Sequence, residues 1–139
     1  DDELKGQAQQ ADVVLDCSDN FETRFALNDI CLSTATPLVS GAAIRFEGQL
    51  LTIEPSKPES PCYRCLYPDE GFAESCTAEG VLSPVVGVIG VLQALEAVKL
   101  ISGAGVPLTG HLLLFDGLKG LFNRLKLRRD PACSCHRGR

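Results

Sequence analysis

Two pairs of cysteines, far apart in the chain, carry the strongest chemical signal in the sequence. Cys62 and Cys65 form a C-x-x-C pair among prolines. Cys133 and Cys135 form a C-x-C pair near the last residues. Two close thiol pairs of this kind are typical of a tetrahedral metal site, and zinc is the metal favoured by such ligands. Either Cys135 or the adjacent His136 supplies the fourth ligand; the alternative is a set of free or disulfide-bonded cysteines without a metal.

A second group of polar residues, Asp-Cys-Ser-Asp-Asn at 16–20, follows a short apolar run. Asp19 and Asn20 stand where a predicted strand gives way to a predicted helix. Ligands of open α/β sheets collect at this position, and oxygen ligands there suit a Mg²⁺ ion that holds phosphates. A helix cap is the alternative, because Asp and Asn are common caps. Arg24 follows about one helical turn later, where it either braces this turn or faces solvent.

Cys76 is a candidate nucleophile, because it lies in a polar stretch, 74–80, apart from both cysteine pairs. Neither Lys nor His is adjacent to activate the thiol, so an ordinary free cysteine is the alternative. Cys31 falls in a predicted helix, where burial is expected. The sequence contains neither G-x-G-x-x-G nor G-x-x-x-x-G-K-[ST], the two glycine-rich phosphate loops. A self-sufficient nucleotide enzyme is therefore not expected from these residues alone.

The elements that must position these residues alternate between strand and helix. A parallel strand–helix–strand unit is predicted first, followed by a strand with a turn or bulge near Gly48. A long proline-rich loop, an apolar helix, a further strand and an edge-like strand with one wet face come next. The predicted ranges are strand 11–16, helix 21–32, strand 37–41, strand 44–53, loop 54–84, helix 85–102, strand 110–116 and edge strand 124–128.

Composition indicates one soluble globular domain of 139 residues, 45% of them hydrophobic. A net charge of -5 argues against a general nucleic-acid binder. Seven cysteines, an odd number, fit a reducing cytoplasm, and the lack of methionine suggests a piece of a longer chain.

The apolar run Val81–Leu95 is too short and too interrupted for a membrane span. We expect a helix buried in the protein or at a dimer interface.

Several motifs in order resemble the ThiF/MoeB/HesA family of ubiquitin-activating-enzyme-like adenylyltransferases, with likeness to its molybdopterin and thiamine branches. The resemblance runs from about Ala11 to Cys135. The motifs that carry it are Leu15–Asn20 with Arg24, Ser40–Ala42, Gly48-Gln49, Cys62–Pro68, Cys76, Gly80–Gly90 and Gln93–Ala97 with Lys99. The resemblance implies an α/β fold, namely the C-terminal part of a Rossmann-like adenylation domain with a zinc-bound loop. It also implies that residues 1–139 are a partial domain, with a crossover loop at about 54–84 and a zinc-clipped end at about 130–136.

The resemblance assigns roles to the residues already singled out. Asp19 matches the family's Mg²⁺/ATP aspartate, and Asn20 and Arg24 complete its D-N-x-x-x-R signature. Cys76 matches a crossover-loop cysteine that takes part in thiol or persulfide chemistry in some members. The zinc positions are matched by Cys62, Cys65, Cys133 and Cys135, although the second pair in the family is usually C-x-x-C. The family's glycine-rich nucleotide loop lies upstream of the matching segment and is not in this sequence.

The implied reaction joins ATP to the C-terminal glycine carboxylate of a ubiquitin-like sulfur carrier and releases pyrophosphate. The implied cofactors are ATP, Mg²⁺ and Zn²⁺, and the implied setting is a cytoplasmic homodimer without nucleic-acid or membrane partners. One alternative is a zinc-stabilised docking module that binds the carrier or a subunit without catalysis. Another is a thiol-relay protein that works through Cys76.

Overall fold

The computed structural model describes residues 1–68 and 82–136. Five strands form one sheet in the order β1-β2-β3-β4-β5. The elements are α1 (Asp2–Gln10), β1 (Val14–Asp16), α2 (Phe21–Thr34), β2 (Leu38–Ile44), β3 (Glu47–Ile53), α3 (Tyr63–Leu66), α4 (Ser83–Ser102), β4 (His111–Asp116), β5 (Leu121–Lys126) and a 3₁₀ turn (Ser134–His136). This mixed α/β architecture agrees with the predicted fold class.

The predicted strand–helix–strand unit is present, with β1 and β2 parallel and α2 between them. Helix α2 begins after Asn20, whose side-chain oxygen accepts a hydrogen bond from the Thr23 amide at 2.8 Å. It ends at Ala35, which adopts a left-handed conformation with φ 55°. Thr36 and Pro37 then lead directly into β2. Cap and breaker residues in the sequence therefore set both ends of this helix.

Strands β2 and β3 form an antiparallel hairpin, and its turn differs from the prediction. The chain reverses at residues 45–46, where Arg45 has φ 54°, and Gly48 lies inside β3 opposite Ala43. The prediction of a turn or bulge at Gly48 is wrong. A Cβ atom at this position would lie 2.5 Å from the Ile89 side chain, so the glycine is explained by the close approach of α4 to the sheet.

Strand β5 is the edge of the sheet, as predicted, but neither of its faces is buried. All six of its residues are exposed, including Leu125 at 49%. The prediction of one wet face is wrong because, in the described residues, no element covers either side of this strand. Phe122 instead stacks on Phe115 of β4, with 4.7 Å between ring centroids.

The sheet is covered on its two faces by different elements. On one face, α2 and α3 enclose a core that contains Phe25, Leu51, Ile53 and Tyr63, together with cysteines of both pairs. On the other face, α4 packs across β2 and β3. Helix α1, which the sequence reasoning missed, lies against α2, and the Thr36 hydroxyl donates to its Ala8 carbonyl at 2.9 Å.

The sequence predicts that helix α4 is buried in the protein or at a dimer interface, and within the described chain one side of it is buried. Its buried residues are Val85, Ile89, Gln93, Glu96 and Ala97. An apolar stripe on the opposite side is exposed; its members are Val91, Leu95, Val98 and Ile101. By length and composition alone α4 could cross a membrane, and 28% of its most apolar window is buried. Since core helices of soluble proteins pass the same test, this is weak evidence.

Candidate functional site

A cleft of about 280 Å³ opens at the carboxyl ends of β1 and β2, beside the first turns of α2 and α4. This is where ligands bind in open α/β sheets. Its lining comprises Cys17, Ser18, Asp19, Arg24, Gly41, Ala42, Ala43, Val86, Ile89, Gly90 and Gln93. The sequence-predicted Asp19 and Arg24 are thus brought to one cavity, whose remaining walls are mostly small or apolar.

The turn that carries Asp19 is held rigidly from the end of β1. Asp16 is 1% exposed, and its Oδ1 accepts hydrogen bonds from the Ser18 amide at 2.9 Å and the Ser18 hydroxyl at 2.6 Å. Asn20 caps α2 through Oδ1 and donates to Asp19 Oδ1 at 3.3 Å through its amide nitrogen. Asn20 therefore has the capping geometry, whereas the exposed Asp19 carboxylate lies at the cleft, at a helix N-terminus.

Arg24 stabilises the same turn through a hydrogen bond to its backbone. Its side chain is almost wholly buried, and Nη2 donates to the Ser18 carbonyl at 2.8 Å. The guanidinium also lies over the Phe21 ring, 5.6 Å from its centroid. The sequence left two alternatives for Arg24, namely that it stabilises this turn or faces solvent, and the buried side chain matches the first.

Gln93 is a positioning residue that the sequence reasoning did not single out for a role. Its amide nitrogen donates to the backbone carbonyls of Asp16 at 2.8 Å and Val39 at 3.1 Å, which joins α4 to the ends of two strands. Its Oε1 accepts from the Cys17 thiol at 3.5 Å. Its sequence signals were a polar side chain in a mainly apolar helix and its place in the Gln93–Ala97 motif.

The cysteine pairs meet on the opposite side of the sheet from α4. The Sγ atom of Cys62 lies 3.8 Å from that of Cys65 and 3.8 Å from that of Cys133. The Sγ atoms of Cys62, Cys133 and Cys135 all lie within 4.8 Å of one another. A tetrahedral zinc with Zn–S bonds of about 2.3 Å has sulfur atoms about 3.8 Å apart. Cys62, Cys133 and Cys135 therefore have the spacing of metal ligands, and Cys65, which contacts Cys62, supplies a fourth thiol beside them.

Buried polar groups hold this cluster against α2. Asn28 is fully buried, and its Oδ1 accepts from the Tyr63 amide at 2.8 Å while Nδ2 donates to Cys135 Sγ at 3.7 Å. Arg64 forms a two-pronged ion pair with Asp29, at 2.9 and 2.8 Å. Burial acts to raise the pKa of Asp29, but hydrogen bonds and the charge of Arg64 outweigh it and hold that pKa below its usual value.

The thiols themselves are held in a low-dielectric environment. The hydrogen bond with Cys65, followed by burial, raises the pKa of Cys62, and burial raises that of Cys133. The amide of Asp130 donates to Cys65 Sγ at 3.4 Å. A cation at the centre of this cluster would offset the cost of burying thiolates together.

Two cysteine predictions outside the cluster have different outcomes. Cys76 lies outside the described residues, as does all of 69–81, so its role stays a prediction. Cys31 is fully buried as expected, and burial raises its pKa to about 11. The side chain of His136 is also outside the described set, whereas Cys135 has its sulfur at the cluster.

The mixed α/β sheet, the cleft at the carboxyl ends of β1 and β2 and the cysteine cluster are the features expected of an adenylation-domain fold. The ThiF family model matches residues 1–135, and the chain belongs to the ThiF family. The chain is 18% identical to E. coli MccB in its ATP complex, with a TM-score of 0.77 over 97% of this chain and 42% of that one. At that level of identity the likeness establishes the fold.

Two curated relatives are much more similar in sequence. The sulfur carrier protein ThiS adenylyltransferase of Escherichia coli (strain K12) is 49% identical over 131 residues, 94% of this chain and 51% of the relative. The molybdopterin-synthase adenylyltransferase of the same organism is 45% identical over 136 residues, 96% of this chain and 53% of the relative. The chain thus spans about half the length of these relatives.

Proposed function

We propose that this chain is part of an ATP-dependent adenylyltransferase that acts on the C-terminal glycine of a ubiquitin-like sulfur carrier. The observation that carries the proposal is the cleft that contains Asp19 at the end of β1, in a chain of the ThiF family. Relatives named as adenylyltransferases for the thiamine carrier ThiS and for molybdopterin synthase support both the reaction and the type of substrate.

In this proposal Asp19 is the residue that acts on the phosphates. Its carboxylate is exposed at the cleft and is oriented by the Asn20 amide at 3.3 Å. Mg²⁺ bound there would withdraw charge from the phosphate oxygens as pyrophosphate departs. Ser18, fixed at its amide, hydroxyl and carbonyl, prevents this turn from moving as charge builds up. Gln93 holds the opposite wall by binding two strand-end carbonyls.

Zinc has a structural role in the same proposal. Cys62, Cys65, Cys133 and Cys135 would hold it through four sulfur ligands, which leaves no open position for substrate. The buried donors from Asn28 and the paired residues around it support this arrangement. The ion would fasten the proline-rich loop to the final described turn on the α2 side of the sheet.

We also propose that the enzyme is a cytoplasmic homodimer. The exposed apolar stripe of α4, from Val91 to Ile101, supports an interface, since a row of large apolar side chains in water is unfavourable. The six cysteines in the described residues are free thiols, which supports a reducing compartment.

The reaction is tested by Asp19→Ala in the full-length protein, with ATP–pyrophosphate exchange in the presence of carrier as the assay. Exchange should fall by at least about 100-fold, because the substitution removes the anionic group that faces the phosphates. Asp12→Ala is the matched control, since Asp12 is an exposed acid outside the cleft. Undiminished exchange in Asp19→Ala would refute the assignment.

Calorimetric titration distinguishes this function from that of a docking module. An adenylyltransferase binds both Mg-ATP and carrier, and Asp19→Ala should weaken the first without abolishing the second. Carrier binding with no ATP binding by the full-length protein would favour the docking module instead.

A further inference from the structure

Helix α2 contacts both cysteine pairs through two successive residues, Asn28 and Asp29. Asn28 is fully buried; its Oδ1 accepts from the Tyr63 amide at 2.8 Å, and its Nδ2 donates to Cys135 Sγ at 3.7 Å. Asp29 binds the Arg64 guanidinium, and its Oδ1 lies 3.7 Å from the same sulfur atom. Tyr63 and Arg64 are the two central residues of the C-x-x-C pair. Each of the two α2 residues therefore connects the first cysteine pair to the second.

The hydrogen bonds of Asn28 fix the orientation of its amide group. A backbone N–H can only donate, so the atom that faces the Tyr63 amide must be the side-chain oxygen. The side-chain nitrogen, which can only donate, is then directed at Cys135 Sγ and at Asp29 Oδ1, the latter at 3.2 Å. Both ends of this buried amide are thus satisfied, and the end that faces the second cysteine pair is a donor.

A donor in this position matches a sulfur ligand better than an imidazole ligand. The sulfur of a metal-bound thiolate is negatively charged and accepts N–H groups. A metal-bound histidine is neutral, and its second ring nitrogen carries a hydrogen that requires an acceptor. Asn28 Nδ2 would face that hydrogen with another donor. The buried amide therefore favours Cys135 over His136, the alternative that spacing left open.

The neighbouring carboxylate makes the donor more important. Asp29 Oδ1 lies 3.7 Å from Cys135 Sγ, and two negatively charged atoms at this distance repel each other when the sulfur binds a metal as a thiolate. Arg64 offsets part of the carboxylate charge, with hydrogen bonds to both oxygens at 2.9 and 2.8 Å. Asn28 Nδ2 donates to the carboxylate and to the sulfur, so it reduces the remaining repulsion between them.

We propose that Asn28 is a positioning residue of the metal centre, which holds the two cysteine pairs together and selects Cys135 as the fourth ligand. The inference rests on the zinc site of the proposed function and is independent of adenylation. The Asn28 oxygen fixes the backbone between Cys62 and Cys65, and the nitrogen holds the sulfur of the second pair beside them. Groups of this kind orient metal ligands and strengthen metal binding.

Asn28→Asp in the full-length protein tests the nitrogen alone. The substitution keeps an oxygen for the Tyr63 amide and replaces the donor at Cys135 with a second acceptor. Asn123→Asp is the matched control, because it makes the same chemical change at an exposed residue of β5. Zinc affinity is measured by competition with a coloured chelator. Alkylation of the zinc-loaded protein, followed by mass spectrometry, shows which cysteines the metal protects.

We expect zinc to bind about 10–100-fold more weakly to Asn28→Asp, the usual effect of losing a group that orients a metal ligand. At zinc concentrations that saturate the protein, Cys135 should be alkylated in this variant while Cys62 and Cys133 stay protected. Asn123→Asp should bind zinc within about twofold of the wild type, as expected for an exposed position. Equal zinc affinity of the two variants would overturn the inference. So would a protected Cys135 in Asn28→Asp, or equal alkylation of all the cluster cysteines.

A measurement on the unmodified protein keeps the inference testable if Asn28→Asp folds poorly. With cadmium in place of zinc, a hydrogen bond from Asn28 Nδ2 to a metal-bound sulfur should give a nuclear magnetic coupling between the amide proton and the metal. Absence of this coupling would overturn the inference. Wild-type protein that binds no zinc would overturn the zinc site of the proposed function as well. Failure of adenylation is seen separately, as undiminished pyrophosphate exchange in Asp19→Ala.

Discussion

Gly41 is the position at which one added methyl group tests the architecture of the cleft. It lies in β2 and lines the cavity, and a Cβ atom there would be 2.5 Å from both Cδ and Oε1 of Gln93. Contacts this short require Gln93 to move. Because Gln93 is 3% exposed and bonded to two backbone carbonyls, it has little space in which to move without losing those bonds.

The cost of Gly41→Ala follows from these contacts. Each lost hydrogen bond contributes about 0.5–1.5 kcal/mol, and overpacking of a filled interior costs about 1–3 kcal/mol. With both bonds lost, the free energy of unfolding should therefore fall by about 2–6 kcal/mol, measured by urea denaturation. Gly87→Ala is the matched control, since no heavy atom lies within 4 Å of its added Cβ, and it should stabilise α4 by about 0.5–1 kcal/mol.

A double-mutant cycle isolates the predicted clash. Gln93→Ala removes the side chain that the new methyl group would strike, so Gly41→Ala should cost less than about 1 kcal/mol in that background. The same pair should show the interaction in binding of a non-hydrolysable ATP analogue, because Gln93 forms a wall of the cleft. The reasoning would be refuted if the losses of unfolding free energy in the two single variants simply added in the double variant. It would also be refuted if Gly41→Ala were as stable as the wild type.

Two further predictions concern the cysteines. Cys133→Ser should reduce bound zinc, measured by mass spectrometry of the metal, to less than a tenth of the wild-type content and lower the melting temperature, whereas the same change at exposed Cys17 should alter neither. For Cys31, the pKa is raised from 9.0 to about 11 in the folded protein, so its stabilising contribution is complete below pH 9 and is lost between pH 9 and 11. Unfolding free energies measured across this window should fall by up to about 3 kcal/mol more in the wild type than in Cys31→Ala. A parallel decline in the two proteins would contradict this.

The β1-α2-β2 unit could be predicted because its signals are local. The apolar run before Asp16, the Asn20 cap and the Thr36-Pro37 breaker fix β1, α2 and β2 without reference to distant residues. The cysteine pairs could likewise be recognised from spacing, and their sulfur atoms do come together across 71 positions of sequence between Cys62 and Cys133. Spacing alone left the fourth ligand open, because a C-x-C pair can present either its second cysteine or the neighbouring histidine.

Gly48 illustrates a feature that local signals misassign. A glycine in an apolar run suggests a turn, since its backbone is permissive. Here its backbone is that of an ordinary strand, and the missing side chain makes room for Ile89, 41 residues away. Arg45, which forms the actual turn with φ 54°, has no composition signal of its own. Tertiary packing, which a local pattern does not contain, decided both positions.

Helix α4 shows why the buried face of an apolar helix cannot be read from hydropathy. Glu96 is 2% exposed, and its Oε1 accepts from the Thr52 hydroxyl at 2.8 Å and the Leu108 amide at 2.6 Å, while Lys99 pairs with Oε2. Gln93 is satisfied in the same way by strand-end carbonyls. The cost of burying both polar residues is therefore offset chiefly by hydrogen bonds to strands β1, β2 and β3, which are far away in sequence.

The orientation of α4 has a consequence for assembly. Because Gln93 and Glu96 must face the sheet to keep their hydrogen bonds, rotation of the helix to bury Val91 and Leu95 would leave their buried partners, among them the Thr52 hydroxyl, without these bonds. Such groups cost about 1–3 kcal/mol each, so the helix cannot remove its own apolar stripe from water by turning. The stripe therefore stays exposed in the described part of the chain because the residues that build one wall of the cleft fix the orientation of α4, and this exposure is the observation behind the proposed homodimer.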